Sequence, residues 1–320
     1  KSLLFYYLKK YRIVTGNNFR NAIIIGYTEE AIDLKRIFEE RPDYGYRFKG
    51  YFSNKKTNEN IAGKVDAVKT FCIENNIDEI YCSLNELSNE KLKDLVPANT
   101  KIMIAYGGGS IFNNGVYDQV KAALSTQFEE NNIVEFGGIE PNPRYETLMK
   151  AVEIIRTEKI GFVLAVGGGS VIDGVKFISA AVNYKGDAAE ILRQRILFTD
   201  ISQVIPFGTV LTLPATGSEM NSGAVVTISA TQEKLTLGGS ALFPKFSVVD
   251  PTVIASLPKR QLQNGVVDAF THTMEQYLTY KHDAILQDRI AEGILQTLVE
   301  IGPEVVENPT DYKLASNFVW

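Results

Sequence analysis

The chain has 320 residues, 45% of them apolar and 22% charged, with a net charge of −5. That length holds two or three domains, and the slight acidity excludes bulk binding to nucleic acid or to an anionic membrane surface. The two cysteines, Cys72 and Cys82, make neither a disulfide framework nor a zinc cluster and fit a reducing, cytoplasmic setting.

No apolar run reaches the roughly 18 residues of a membrane span, and no secretory leader is read at the front. The chain starts at Lys1 rather than Met, so it reads as a piece of something longer. Residues 1–18 hold an aromatic-rich apolar patch followed by Lys9, Lys10 and Arg12. This is the pattern of a short surface helix, or of the cytosolic stub after a membrane helix.

Ala22-Ile-Ile-Ile-Gly26 is a strand running into a turn, and 29–39 has Ala31, Leu34 and Phe38 at helical spacing. Strands are predicted at 47–52 and 78–84, and helices at 68–75 and 88–95, the last capped by Ser88. Alternating strands and helices imply a parallel sheet covered on both faces. The single glycine of the first turn, Gly26, is a poor match to a dinucleotide fingerprint.

These residues carry a first resemblance. Asn18-Phe-Arg-Asn-Ala-Ile-Ile-Ile-Gly-Tyr-Thr28, Glu40-Arg-Pro-Asp-Tyr-Gly-Tyr-Arg-Phe48 and Ile77-Asp-Glu-Ile-Tyr-Cys-Ser-Leu-Asn-Glu-Leu87 resemble the soluble nucleotide-binding-like domain of bacterial polyprenyl-phosphate sugar phosphotransferases. In that family, membrane helices precede the domain and the sugar-transfer domain follows it. Neither is read here, so the resemblance implies no transferase activity.

At Pro97 the pattern changes. Lys101-Ile-Met-Ile-Ala-Tyr-Gly-Gly-Gly-Ser110 is a strand and a glycine turn, with Phe112-Asn-Asn-Gly115 delaying the next helix until about Tyr117. A strand at 133–136, a rigid turn at 137–143 and a helix at 145–158 follow. Phe162-Val-Leu-Ala-Val-Gly-Gly-Gly-Ser170 then repeats strand and turn, and apolar residues at helical spacing run on from it. The glycines remove every Cβ from the turn, and the first N–H groups of the following helix lack intrahelical acceptors. A pyrophosphate is the natural occupant. Two such turns in one sheet fit two segments closing over one dinucleotide. A strand at 206–214 leads into Ala215-Thr-Gly-Ser-Glu-Met-Asn221, rich in hydroxyl and amide donors, and the last strand is at 246–249. From Lys259 the strands stop, and 261–281 and 284–301 read as helices with Asp268, His272 and Glu292 in an apolar pattern.

Five ordered motifs carry a second resemblance, over residues 97–320. They are Tyr106-Gly-Gly-Gly-Ser110, Phe136-Gly-Gly-Ile-Glu-Pro-Asn-Pro143, Ala165-Val-Gly-Gly-Gly-Ser-Val-Ile-Asp-Gly174, Leu211-Thr-Leu-Pro-Ala-Thr-Gly-Ser-Glu219 and Asn264-Gly-Val-Val-Asp-Ala-Phe-Thr-His272. Together they are similar to the iron-containing alcohol dehydrogenases, in the butanol-dehydrogenase and aldehyde-reductase branch. The fold implied is α/β: two Rossmann-like parallel-sheet domains at 1–96 and 97–254, then the first helices of an incomplete all-α domain at 255–320.

The resemblance implies cofactor contacts at Gly107, Gly108, Gly109, Ser110, Asn142, Gly168, Gly169, Ser170, Asp173, Thr212, Thr216, Asn221 and Lys234. No carboxylate stands near Gly109, and Ser110 is a donor for phosphate, so NADP(H) is expected over NAD(H). Asp268 and His272, four apart on one helix face, become ligands for Fe(II) or Zn(II). The reaction implied is hydride transfer between NADP(H) and a small aldehyde or primary alcohol, and a homodimer is in keeping with it.

The family's metal site takes two further histidines on later helices, and the chain ends at Trp320 before either; His282 matches no ligand position and reads as a solvated loop residue. Residues 1–96 stand where the family has an extra strand region, so the chain reads as a fusion joined near Val96-Pro97. Impaired turnover and an exposed apolar surface on the last helices are therefore expected.

Overall fold

The computed structural model describes residues 19–27, 29–40, 46–54, 61–77, 79–82, 100–125, 128–279 and 284–320. The opening segment 1–18, the helix expected at 88–95 and His282 lie outside these residues. The chain divides into two compact units, 1–95 and 96–320.

In the first unit, β1 (Arg20–Ile25), α1 (Glu29–Glu40), β2 (Tyr46–Phe52), β3 (Ile61–Gly63), α2 (Val68–Glu74) and β4 (Glu79–Cys82) follow in order. The sheet has the order β3-β2-β1-β4, and its described pairs are parallel. Successive β1 residues point to opposite faces and both faces are covered, which is why the strand reads as an unbroken apolar run. Ala22 and Ile24 pack with Ala31, Phe38 and Tyr51 on one side. Ile23 and Ile25 pack with Phe52, Val65 and Val68 on the other. Burial pushes the Tyr51 hydroxyl up to about 12, and it donates to the Ala31 carbonyl at 3.2 Å.

The second unit begins with β5 (Lys101–Tyr106), α3 (Ser110–Asn113), α4 (Val116–Ser125), β6 (Ile133–Phe136), α5 (Tyr145–Glu158), β7 (Ile160–Gly167) and α6 (Gly169–Asn183). It continues through α7 (Ala188–Arg193), β8 (Phe207–Leu211), β9 (Ala224–Ile228), β10 (Glu233–Leu237) and β11 (Ser247–Val249). Five strands form a parallel sheet in the order β11-β8-β7-β5-β6. Taken along the chain this is 2-1-3-4-5, a doubly wound order whose switch point lies between β5 and β7. Ligands of such sheets bind beyond the carboxyl ends of the strands at that point.

The ten-residue helix α4 starts at Val116, next to the expected Tyr117, but a four-residue helix, α3, already begins at Ser110. Gly115, at φ +75°, splits one helical segment into α3 and α4. The segment after Asn221 is also more ordered than its sequence suggested. β9 and β10 form an antiparallel hairpin, with Val226 paired to Leu235.

Three helices close the chain: α8 (Lys259–Leu278), α9 (Ile285–Glu307) and α10 (Tyr312–Val319). They share a small apolar core of Ile254, Leu262, Leu298, Val305, Ala315 and Phe318, separate from the larger core around the sheet. α9 runs through Pro303, past its expected end at 301. Proline removes the bond to the carbonyl four residues back, which here belongs to Val299 on an exposed stretch, while buried Val305 anchors the turn beyond. Val267, Leu278, Ile285, Leu286, Ile290 and Val299 leave α8 and α9 with much exposed apolar surface. No helix among the described residues is long and apolar enough to cross a membrane.

Candidate active site

The two glycine turns leave neighbouring strands. β5 and β7 pair through Tyr106 and Val166, so Gly107–Gly109 and Gly167–Gly168 emerge side by side at the switch point. The first turn is held by the stretch after β6: the Gly138 and Ile139 N–H groups donate to the carbonyls of Gly107 and Tyr106 at 2.9 and 3.2 Å. A side chain at Gly108 would meet nothing within 4 Å, so this turn opens onto free space beside exposed Ser110.

In the second turn, Gly168 caps α6 and its carbonyl accepts from the Val171 and Ile172 N–H groups. The N–H groups of Gly169 and Ser170 have no acceptor within the helix. The loop after β8 lies directly against them. A Cβ on Gly168 would sit 3.3 Å from that of Leu213, and one on Gly169 would run into the Thr216 hydroxyl. Thr216 and Ser218 hydrogen-bond through their hydroxyls at 2.9 Å. Helix N–H groups without intrahelical acceptors and the helix dipole favour an anion at this end of α6, with the Thr216 hydroxyl beside them.

On the open side, Asn142 holds a left-handed conformation at φ +56°. Its N–H donates to the Ser170 hydroxyl at 3.3 Å, and its side-chain oxygen accepts from the Lys234 ammonium at 2.9 Å. Asn142, Ser170 and Lys234 therefore form one polar group at the α6 N-terminus. Thr212 is largely buried and links strands, its N–H donating to Gly167 at 3.1 Å.

Asp173 and Asn221, expected to reach the cofactor, are both engaged by the protein. Asp173 accepts from the Val225 N–H at 2.9 Å and so ties β9 to α6. Burial pushes its carboxyl up, against the pull of that bond, Lys176, Ser218 and Lys234. The Asn221 side-chain oxygen accepts from the Lys176 ammonium at 2.8 Å and the Gly223 N–H at 3.0 Å, while its NH2 donates to Gly217 at 2.9 Å.

Lys176 was not singled out from sequence. It is fully buried, and its ammonium also donates to the Gly223 carbonyl at 2.7 Å. Burial lowers it from 10.5 to about 8, opposed by Asp173 and Glu219. Between those two values the unfolded chain binds more protons than the folded one, so this group's contribution to stability rises with pH from about 8 toward 10.5. Relative to Lys176→Met, wild type should gain in urea midpoint as pH is raised through that window; parallel midpoints would contradict the assignment.

Asp268 and His272 share one face of α8, about half exposed, with Oδ2 and Nδ1 3.9 Å apart. α8 passes close over the end of β8, where a Cβ on Gly265 would lie 2.8 Å from the Pro214 carbonyl. An open groove of about 400 Å³ there is lined by Leu213, Ala215, Asn264, Asp268 and Thr271. The pair offers one carboxylate and one imidazole to a divalent ion, a sound donor chemistry but two ligands where a catalytic zinc takes three. Among the described residues no group of three His, Cys, Asp or Glu converges.

The sequence profile of the family described as "Iron-containing alcohol dehydrogenase" matches residues 82–251. The chain belongs to this family. It is 50% identical over 232 residues to the NADPH-dependent aldehyde reductase YqhD of Escherichia coli K12, which covers 72% of this chain and 58% of that protein. It is 43% identical over 223 residues to NADH-dependent butanol dehydrogenase A of Clostridium acetobutylicum, covering 69% of this chain and 56% of the relative. The crystal structure of E. coli K-12 YqhD superposes with a TM-score of 0.66 at 49% identity, over 72% of this chain and 58% of that one. NADH-dependent butanol dehydrogenase A from Thermotoga maritima gives 0.63 at 40% identity, over 69% and 54%. The chain thus spans a little over half the length of the relatives it matches.

Proposed function

We propose that the second unit binds NADP(H) and serves hydride transfer between that cofactor and a small aldehyde or primary alcohol. The observation that carries this is the α6 N-terminus, where free N–H groups, the Thr216 and Ser218 hydroxyls and the Asn142–Lys234 pair converge beside the first glycine turn. The names of the relatives support the chemistry, and they include both NADPH- and NADH-dependent enzymes.

The chain's own residues bind and orient. The backbone of Gly168–Ser170 receives the pyrophosphate. Lys234, held by Asn142, supplies a cation beside it. Ser110, exposed next to the open Gly107–Gly109 turn, donates to a 2′-phosphate that no carboxylate repels. Asp268 and His272 would hold two positions of an Fe(II) or Zn(II) ion, which when bound polarises a carbonyl as a Lewis acid. Two donors hold such an ion weakly, so slow turnover by this chain alone belongs to the proposal. That same shortage favours a second reading, a nucleotide-binding module without chemistry.

Association of two copies is supported by the exposed apolar surface of α8 and α9. A cytoplasmic location is supported by the low cysteine count. The parallel sheet of the first unit is in keeping with a fused domain like that of the polyprenyl-phosphate sugar phosphotransferases.

Fluorescence titration of the 320-residue chain tests the cofactor reading. NADPH is expected to bind at least about tenfold more tightly than NADH, a difference of about 1.4 kcal/mol. Equal affinities would remove the NADP preference, and binding of neither would sink the reading. Oxidation of bound NADPH on adding a small aldehyde would separate the enzyme from the binding module.

A further inference from the structure

We propose that Lys176 is the positioning residue of the dinucleotide site: through Asn221 it holds the Gly217–Gly223 loop against α6, and so keeps the Thr216 and Ser218 hydroxyls at the helix N-terminus. The proposal rests on the dinucleotide reading above.

Lys176 sits mid-way along α6 among buried Val175, Phe177 and Ile178, where an ammonium is unfavourable unless it has partners. Two partners are present, Asn221 Oδ1 at 2.8 Å and the Gly223 carbonyl at 2.7 Å. The chain of contacts runs from there to the anion site. Asn221 reaches back to the Gly217 carbonyl at 2.9 Å and so closes the short turn Ser218–Met220 across its ends. Gly217 itself is left-handed, at φ +64°. Thr216 precedes it and lies in contact range of Gly169, bonded at 2.9 Å to the Ser218 hydroxyl. Remove the ammonium, and the Gly223 carbonyl and one lone pair of Asn221 lose their donor. The loop then has less to hold it on the helix.

Charge adds a second effect. The groups acting on Lys176 are Asp173 of α6 and Glu219 of the short turn, and Lys234 of β10 acts on Asp173. One oxygen each of Asp173 and Glu219 is buried without a hydrogen-bond partner. Protonated Lys176 offsets these two carboxylates close to where phosphates would sit. Neutral Lys176 leaves them facing an anionic ligand.

The test uses the full chain, wild type and Lys176→Met, titrated with NADPH by fluorescence from pH 7 to 9 below both melting transitions. Loss of the clamp should weaken NADPH on the order of tenfold at neutral pH. Wild-type affinity should also fall about threefold as pH rises past the value near 8 to which burial lowers Lys176, a dependence that Lys176→Met lacks. A lysine with a structural role alone would lower the melting temperature of the variant but leave the NADPH affinity of the folded protein unchanged; that result overturns the proposal. If Lys176→Met does not fold, Asn221→Ala, which cuts the same clamp from the loop side, decides, and unchanged NADPH affinity in it overturns the proposal. If wild type binds neither NADPH nor NADH, the dinucleotide reading falls together with this one, whereas normal wild-type binding that is indifferent to Lys176 sinks this one alone.

Discussion

Gly239→Ala should destabilise the sheet of the second unit by about 4 kcal/mol or more, in the range reserved for strained backbone and steric overlap. Gly239 follows β10 at φ +138° and ψ 152°, a region that L side chains essentially never enter. A Cβ there would overlap the Phe198 carbonyl oxygen and lie 2.5 Å from the Phe198 nitrogen and 2.7 Å from its carbonyl carbon. These atoms cannot step aside. The Phe198 N–H donates to Gly238 at 3.1 Å, and the Phe198 carbonyl accepts from Ala241 at 2.9 Å. The buried Phe198 ring is also part of the main core. A melting temperature lower by about 10 °C is the expected reading, at a few degrees per kcal/mol for a domain of this size. A variant melting within about 2 °C of wild type would show that the strand end relaxes without loss.

Gly169→Ala should do the opposite, damaging the site while sparing the fold. Its Cβ would push into the Thr216 hydroxyl and come within 3.3 Å of that of Ser218. The Thr216 side chain must then turn away or its loop shift off the helix, and either change disturbs the groups set beside the α6 N-terminus. Alanine in a helix is favoured over glycine by about 1 kcal/mol, which offsets part of the steric penalty. NADPH affinity should therefore drop about tenfold or more, the loss of at least one hydrogen bond to a charged phosphate, with little change in melting temperature. Retained affinity would mean that the α6 N-terminus does not receive the pyrophosphate.

What could be read in the sequence follows from the period of burial. The Ile23–Ile25 and Phe162–Val166 runs announce strands covered on both faces. The glycine turns behind Tyr106 and Val166 announce strand-to-helix turns, and the structure places both at the carboxyl end of the sheet. The β9–β10 hairpin was legible only in part. Its strands are β-branched, but the connection 229–232 has no Asn-Gly or Asp-Gly pair, and the left-handed residue is Gln232 at φ +57°. Gly115 looked like a delay in a helix and proved to be a break between two. α9 runs past the end read at 301 and through Pro303, because the carbonyl that the proline leaves without its donor belongs to exposed Val299.

Lys176 marks a different limit. A lysine inside an apolar helix is visible in the sequence, but its meaning depends on Asn221, 45 residues later. Asp173 and Asn221 show the same limit. Their residue types suit a ligand, and the sequence does not show that in the fold they also hold the hairpin and the loop beside the α6 N-terminus. Asp268 and His272 were legible as a pair because helical spacing alone brings them to one face.

The last three helices rest on a few buried contacts, Ile254, Leu262, Leu298, Val305, Ala315 and Phe318, next to a far larger core. Heating should therefore loosen them first and leave the sheet intact, so that calorimetry records a staged loss of structure instead of one cooperative transition. The Asp268–His272 face of α8 would be lost before the crevice at the α6 N-terminus, so moderate warming would separate the two halves of the proposed site, one melting while the other stays folded.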